Sequence, residues 1–168
     1  CLKGNAPDDV TKLSLDLCAN ILVQSGISMN KSKAKNSLLK NIENGKALEK
    51  FEKMIIAQGG ELSDIYSKNS FARYHIIVKS QGSGYIQAMN TEKIGWALVE
   101  MGCGRKVMGE TLDHSAGIKS NYKVGDKINK GEPVYELFGC DDIKLKNARE
   151  ILVDAFIISE KKVKKQKL

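Results

Sequence analysis

The sequence predicts an α+β protein, a run of helices followed by a mixed module of strands and helices. Three observations carry this. Apolar residues recur at three and four over roughly the first 60 residues, β-branched runs and glycine turns take over after Glu61, and a helical stripe returns near the C-terminus.

The first helix is predicted from Pro7 to Ser25. Val10, Leu13, Leu17 and Ile21, with neighbours Leu15 and Leu22, follow helical spacing. Pro7 suits a first turn, Asp8 and Asp9 favour the positive end of the helix dipole, and Gly26 ends the run. A second helix is predicted over about Asn30–Asn44, with Ala34, Leu38, Leu39 and Ile42 on one stripe and Gly45 as its stop. The third follows at once through Ala47, Leu48, Phe51, Met54 and Ile55, and Gly59-Gly60 supplies its end.

A domain boundary is expected between about residues 61 and 72, where the polar stretch Ser67-Lys68-Asn69-Ser70 leads into Tyr74-His75-Ile76-Ile77-Val78, a β-branched run. Gly82-Ser83-Gly84 reads as a turn, Tyr85–Ala88 as a second strand, and Asn90 or Thr91 as the cap of a helix carrying Ile94, Ala97, Leu98 and Met101. Gly102 through Gly109 form a loop rich in glycine and cations. A strand region is expected between Gly117-Ile118 and Lys123-Val124, before a tight turn at Gly125-Asp126. The phrase from Val124 to Leu137 alternates turn and apolar residues as in a small barrel-sandwich-like β unit. A helix near Lys146–Asp154 and a last strand at Ala155–Ser159 complete the module.

Composition sets the outer bounds. Among 168 residues, 42% are hydrophobic and 28% charged, enough to bury a core. The formal net charge is +7, but five lysines lie in the last eight residues, which leaves +2 for the remainder. A basic tail without interleaved aromatics reads as a solvated terminus rather than a nucleic-acid surface. Cys1, Cys18, Cys103 and Cys140 form no C-x-x-C pair, so reduced thiols are expected. No apolar stretch approaches bilayer length and no signal-peptide pattern opens the chain, so a soluble cytoplasmic protein is expected. The opening Cys1-Leu2-Lys3 has no start-like character, which suggests a fragment.

Catalytic signals are thin. His75 lies inside a strand run, and Asp113-His114-Ser115 sets three triad residue types side by side, although a triad is built by convergence in space. Asp141 and Asp142 could share a cation or form a solvated turn. Lys3-Gly4-Asn5 loosely matches an anion-binding helix start, which Asp8 and Asp9 oppose. The strongest candidate is Gly102-Cys103-Gly104-Arg105-Lys106. Gly102 and Gly104 let the backbone approach a ligand, Arg105 offers a forked donor, and the cations could lower the pKa of Cys103. A helix stop followed by a solvated loop explains the same residues.

Several stretches in order, Leu2-Lys3-Gly4-Asn5-Ala6-Pro7-Asp8-Asp9, Ala57-Gln58-Gly59-Gly60, Gly84-Tyr85-Ile86, Ile94-Gly95, Gly104-Arg105-Lys106 and Val124 through Glu132, resemble the C-terminal portion of the pyrimidine-nucleoside phosphorylase and thymidine phosphorylase family. The resemblance implies that residues 1–65 are the helical end of a central α/β domain and that residues 70–168 are the family's C-terminal domain. It implies phosphorolysis of thymidine or uridine to base and (deoxy)ribose 1-phosphate, with phosphate as co-substrate, no cofactor or metal, and a homodimeric enzyme. The family's phosphate-binding and base-holding residues lie upstream of these stretches. The resemblance therefore implies no catalytic residue in this chain and no activity from it alone. In the family the loop matching Gly102–Leu112 faces the cleft, which gives Gly102, Gly104, Arg105 and Lys106 an indirect role. Lys119-Ser120-Asn121 departs from the family, where many members carry apolar residues and a histidine. Two other readings stand beside it. One is a biotinyl- or lipoyl-like carrier with Lys144 as the modified residue, suggested by Gly125-Asp126 and Lys130-Gly131-Glu132-Pro133-Val134. The other is an interaction module whose partner supplies the missing domains.

Overall fold

The computed structural model describes residues 1–66 and 72–164. The chain divides between Lys68 and Asn69 into two compact units. The polar stretch Ser67–Ser70 and the end of the lysine-rich tail, residues 165–168, lie outside the described residues.

The first unit is helical, with α1 (Asp8–Gln24), α2 (Lys31–Glu43), α3 (Lys46–Ala57) and the short α4 (Leu62–Tyr66). Local chemistry sets the helix ends. Asn30 caps α2 by accepting from the Lys33 amide at 2.9 Å, and Gly26 and Gly45 turn the chain at φ +74° and +78°. Ala19 of α1 and Ala34 of α2 are buried, and an Asp16–Lys35 ion pair links the same two helices. The inward side of α1 is thus Leu15, Ala19 and Leu22. Val10, Leu13, Leu17 and Ile21, the stripe most evident in the sequence, are exposed. α4 was not anticipated, because a helix of one turn leaves no periodic signature.

The second unit is α+β. Its elements are β1 (Tyr74–Lys79), β2 (Gly84–Met89), α5 (Thr91–Glu100), β3 (Gly117–Ser120), β4 (Lys127–Ile128), β5 (Pro133–Gly139), α6 (Asp142–Val153) and β6 (Phe156–Ser159). They form two three-stranded antiparallel sheets, ordered β1-β5-β3 and β4-β2-β6. Tyr135 and Leu137 alternate inward along β5, as a strand packed on one face requires. They join Val78, Ile86, Ile128 and Val134 from the strands, Ala97, Leu145, Ala148 and Leu152 from α5 and α6, and Met101 just after α5 in one core. The Tyr135 ring meets Phe156 edge-on at 6.0 Å, which ties one sheet to the other.

Two details correct the sequence reading. α6 begins at Asp142 rather than near Lys146, because Asp141 caps it by accepting from the amides of Ile143 and Lys144 at 2.9 and 3.1 Å. The strand after Gly117 is only four residues long, and Lys123 begins a turn in which the Asp126 carboxylate accepts its amide at 2.8 Å. At Gly84, a Cβ would stand 2.5 Å from the Ser159 carbonyl, so the close approach of β2 to β6 requires glycine.

Candidate functional site

The loop between α5 and β3 runs over residues 101–116 of the second unit. Asn90 starts α5 by accepting from the Lys93 amide at 3.0 Å, and Gly102 ends it at φ +93°. Gly102 is buried, its amide donates to Val99 O at 3.0 Å, and its carbonyl accepts from the Asp113 amide at 2.9 Å. The two ends of the loop are thereby pinned together.

Asp113 fixes the far root. Its Oδ1 accepts from the Ser115 amide at 2.9 Å and hydroxyl at 2.6 Å, and its Oδ2 accepts from the Cys140 amide at 2.8 Å at the end of β5. Burial raises the Asp113 pKa, but the bonds from Ser115 and Cys140 outweigh it and hold the carboxyl below its ordinary value. Asp113 is therefore engaged with Ser115 and the backbone, and His114 is exposed, so the three adjacent residues form a turn and not a triad.

Within the loop two glutamates do the holding. Glu110 Oε2 accepts from the Lys106 amide at 2.8 Å, the Glu110 carbonyl accepts from Arg105 Nε at 3.0 Å, and Oε1 lies 3.8 Å from the Lys144 ammonium. Glu100, the last residue of α5, pairs with the Lys106 ammonium and accepts from Asn147 of α6 at 3.3 Å. These donors, the Lys106 amide at Glu110 and the Lys106 ammonium at Glu100, hold both carboxyls below the usual glutamate range. Val107 and Met108 project at the tip, with Met108 fully exposed.

The candidate residues thus divide. Lys106 is neutralised by Glu100. Arg105 is held through Nε alone, so its two terminal nitrogens are without a partner among the described residues and can grip an anion. Gly104 is required by packing, since a Cβ there would stand 2.9 Å from Val99 Cγ2, and Gly102 serves the turn. The Cys103 thiol is pushed up by burial and by the nearby Asp113 charge, opposite to the activation expected from the neighbouring cations. Glu100 and Glu110 escaped the sequence reading, although acidic residues bracketing Arg105-Lys106 were the available signal.

The other candidates resolve into local structure. His75 is exposed on β1, its ring 6.3 Å from that of Phe138. Asp141 is a helix cap and Asp142 pairs with Lys146 at 2.6 Å, and no group of three metal-ligating residues exists among the described residues. Lys3 stacks its ammonium 4.1 Å over the Tyr66 ring. Lys144 lies in α6 beside Glu110, not on the β-hairpin a carrier lysine needs. No helix among the described residues is long and apolar enough to cross a membrane.

Comparison with known proteins finds similarity to one group of enzymes. Residues 85–159 match the family model described as pyrimidine nucleoside phosphorylase C-terminal domain. A pyrimidine-nucleoside phosphorylase of Staphylococcus epidermidis is 32% identical over 160 residues, covering 92% of this chain and 37% of the relative. One from Staphylococcus haemolyticus is 34% identical over 162 residues, with the same two shares. One from Bacillus subtilis is 36% identical over 139 residues, 82% of this chain and 32% of the relative. A match of 160 residues is too long for the second unit, Asn69–Lys167, so the likeness runs through both units. The chain spans about a third of the length of these relatives, and what it resembles is their C-terminal part.

Proposed function

We propose that this chain is the C-terminal part of a pyrimidine-nucleoside phosphorylase and that its second unit closes one side of the substrate cleft. The observation that carries this is similarity at 32% identity over 92% of the chain, joined to the family match inside the second unit. In the reaction, a phosphate oxygen attacks the anomeric carbon of thymidine or uridine. The bond to the base nitrogen breaks, its electron pair leaves with the base, and the sugar departs as the 1-phosphate. Holding phosphate and nucleoside together removes translational freedom, and shielding them from water strengthens every charge interaction in the cleft.

In this reading the chain supplies no catalytic group and the loop is its contribution. Glu110 and Glu100 fix the loop, and Arg105 offers the two guanidinium nitrogens that have no partner among the described residues to an anion, the co-substrate phosphate or the sugar phosphate formed from it. No cofactor is needed, because phosphate is itself the nucleophile. The working enzyme is a cytoplasmic homodimer. Supporting the phosphorylase over the carrier reading is the position of Lys144, which sits in the first turn of a helix.

The test is phosphate-dependent release of uracil and thymine. The chain alone is expected to be silent. Mixed with the upstream part of the Bacillus subtilis relative, it is expected to restore turnover, and Arg105→Ala to lower kcat/KM about tenfold or more. Turnover by the chain alone, or silence of a mixture shown to associate, would refute this reading.

A further inference from the structure

The lysines of the second unit fall into two groups. Lys106, Lys119, Lys144 and Lys146 each face a carboxylate, that of Glu100, Glu136, Glu110 and Asp142 in turn. Lys79, Lys127, Lys130, Lys161, Lys162 and Lys164 are exposed and make no ion pair with any described residue. Strand register brings these six together. Lys127 of β4 stands opposite Tyr85 of β2, and Tyr85 stands opposite Ser159, the last residue of β6, where the lysine tail begins. The Lys130 amide donates to Ser83 Oγ at 2.8 Å, and the Gly131 amide donates at 2.8 Å to the carbonyl of Ser80, the neighbour of Lys79. The root of the tail is seated, since the Lys161 amide donates to Ser159 Oγ at 3.1 Å and Val163 is half-buried. Composition alone makes this tail a solvated terminus, whereas the register sets it beside three lysines from other segments.

Carboxylates in the same segments do not offset the cluster. Glu132 accepts from the Asn129 amide, the Asn129 side chain and the Tyr122 hydroxyl, and Asp126 accepts from the Lys123 amide. Ammoniums held close by the backbone repel one another, and a polyanion removes that repulsion while releasing its own condensed counterions. We infer that this lysine cluster binds the phosphate backbone of double-helical nucleic acid without reading its sequence. The inference goes beyond the phosphorylase reading and does not rest on it. Lysine meets phosphate as a point charge and lacks the orienting fork of arginine, which suits a repeating backbone. Neighbouring strands lie about 4.8 Å apart, so Lys127 and the root of the tail, on either side of β2, start about 10 Å from each other and reach separate phosphates. Single strands are held by stacking bases on aromatic rings, but the tyrosines of this cluster, Tyr85 and Tyr122, are half-buried. A membrane surface takes up an apolar face, and β6 exposes one large apolar side chain, Ile157.

The experiment follows fluorescence anisotropy as the 168-residue chain is titrated into labelled RNA and DNA duplexes, about 20 base pairs long and of two unrelated sequences each. The expected dissociation constant is on the order of 10 μM at physiological salt, equal for the two sequences and rising steeply with salt. Lys127→Gln, Lys130→Gln and Lys161→Gln together should weaken binding about tenfold or more and lower the slope of log affinity against log salt by about 3. Lys31→Gln, Lys40→Gln and Lys119→Gln together remove the same charge from other exposed positions and should change the affinity by less than about twofold. Circular dichroism identical to wild type excludes misfolding, and a chain ending at Glu160 is expected to weaken binding in the same way. Binding of one duplex type alone would support the inference and identify whose backbone is recognised. Absence of duplex binding would overturn it, as would equal loss in the two triple variants. So would tighter binding to single strands than to duplexes, or binding to phosphatidylserine vesicles at least as tight. None of these outcomes bears on phosphorolysis, which the mixing experiment reads separately.

Discussion

The second unit gathers twelve buried apolar residues into one cluster, whereas the described part of the first unit buries Ala19 and Ala34 and leaves a row of leucine, isoleucine and valine in water. Both were built from equally regular periodicity. The difference teaches that spacing tells which residues are apolar and on which helical face, but not whether the chain itself carries the surface that will cover them. β5 meets two strands and a helix within its own unit and has its cover; α1 has it on one side only.

The largest test of that contrast is a matched pair of truncations. Leu137→Ala removes a fully buried side chain from β5 and is expected to cost about 3 kcal/mol. Leu17→Ala removes one that is 55% exposed and is expected to change stability by ~0.5 kcal/mol or less. Urea unfolding followed in each unit reads both. A comparable loss from Leu17→Ala would mean that the outer stripe is already covered.

A smaller effect is expected at the root of the loop. Asp113→Asn places an amide opposite the Cys140 and Ser115 donors and is expected to cost about 2 kcal/mol near neutrality. Because the folded carboxyl titrates below its unfolded value, near 3.9 for an aspartate, its contribution is complete above that pH and is lost as pH falls through the lower folded value. The gap between wild type and variant should therefore be flat from about pH 5 to 8 and narrow below about pH 4. A gap that widens in acid would contradict the assignment.

The smallest effect concerns Tyr135, whose hydroxyl is buried without a hydrogen-bond partner among the described residues and whose pKa burial pushes up to about 12. Tyr135→Phe keeps the edge-on contact with Phe156 and removes a desolvated group. Thermal unfolding should show stability unchanged or raised by up to ~1 kcal/mol, and a clear loss would point to a partner for the hydroxyl.

Much of the fold was legible because its signals are local. Asn90 was read, with Thr91, as a cap and Asn30 as the start of the second helix, β1 was read from its β-branched run, and β5 lay in the phrase that alternates turn and apolar residues. What escaped depends on distance along the chain. The Asp113 to Cys140 bond spans 27 residues, the Glu100 to Asn147 bond 47, and neither leaves a mark in spacing. α1 misled because both of its faces are apolar, so the more regular stripe drew attention from the side that packs. Asp141 was read as half of a cation site or part of a solvated turn, whereas its carboxylate is spent on the start of α6. At the candidate site, Arg105 was legible by type, but its separation from Lys106 was not, since that depends on where Glu100 and Glu110 fold back.

Native-state hydrogen exchange across the whole chain would test the contrast most directly. Amides of β5 and α6 should exchange only through global opening of the second unit, while those of α1 and α2 should exchange through openings several kcal/mol lower and gain protection when the upstream part of a relative is added. Protection of α1 equal to that of β5 in the chain alone would show that the first unit is complete by itself, and would contradict the account.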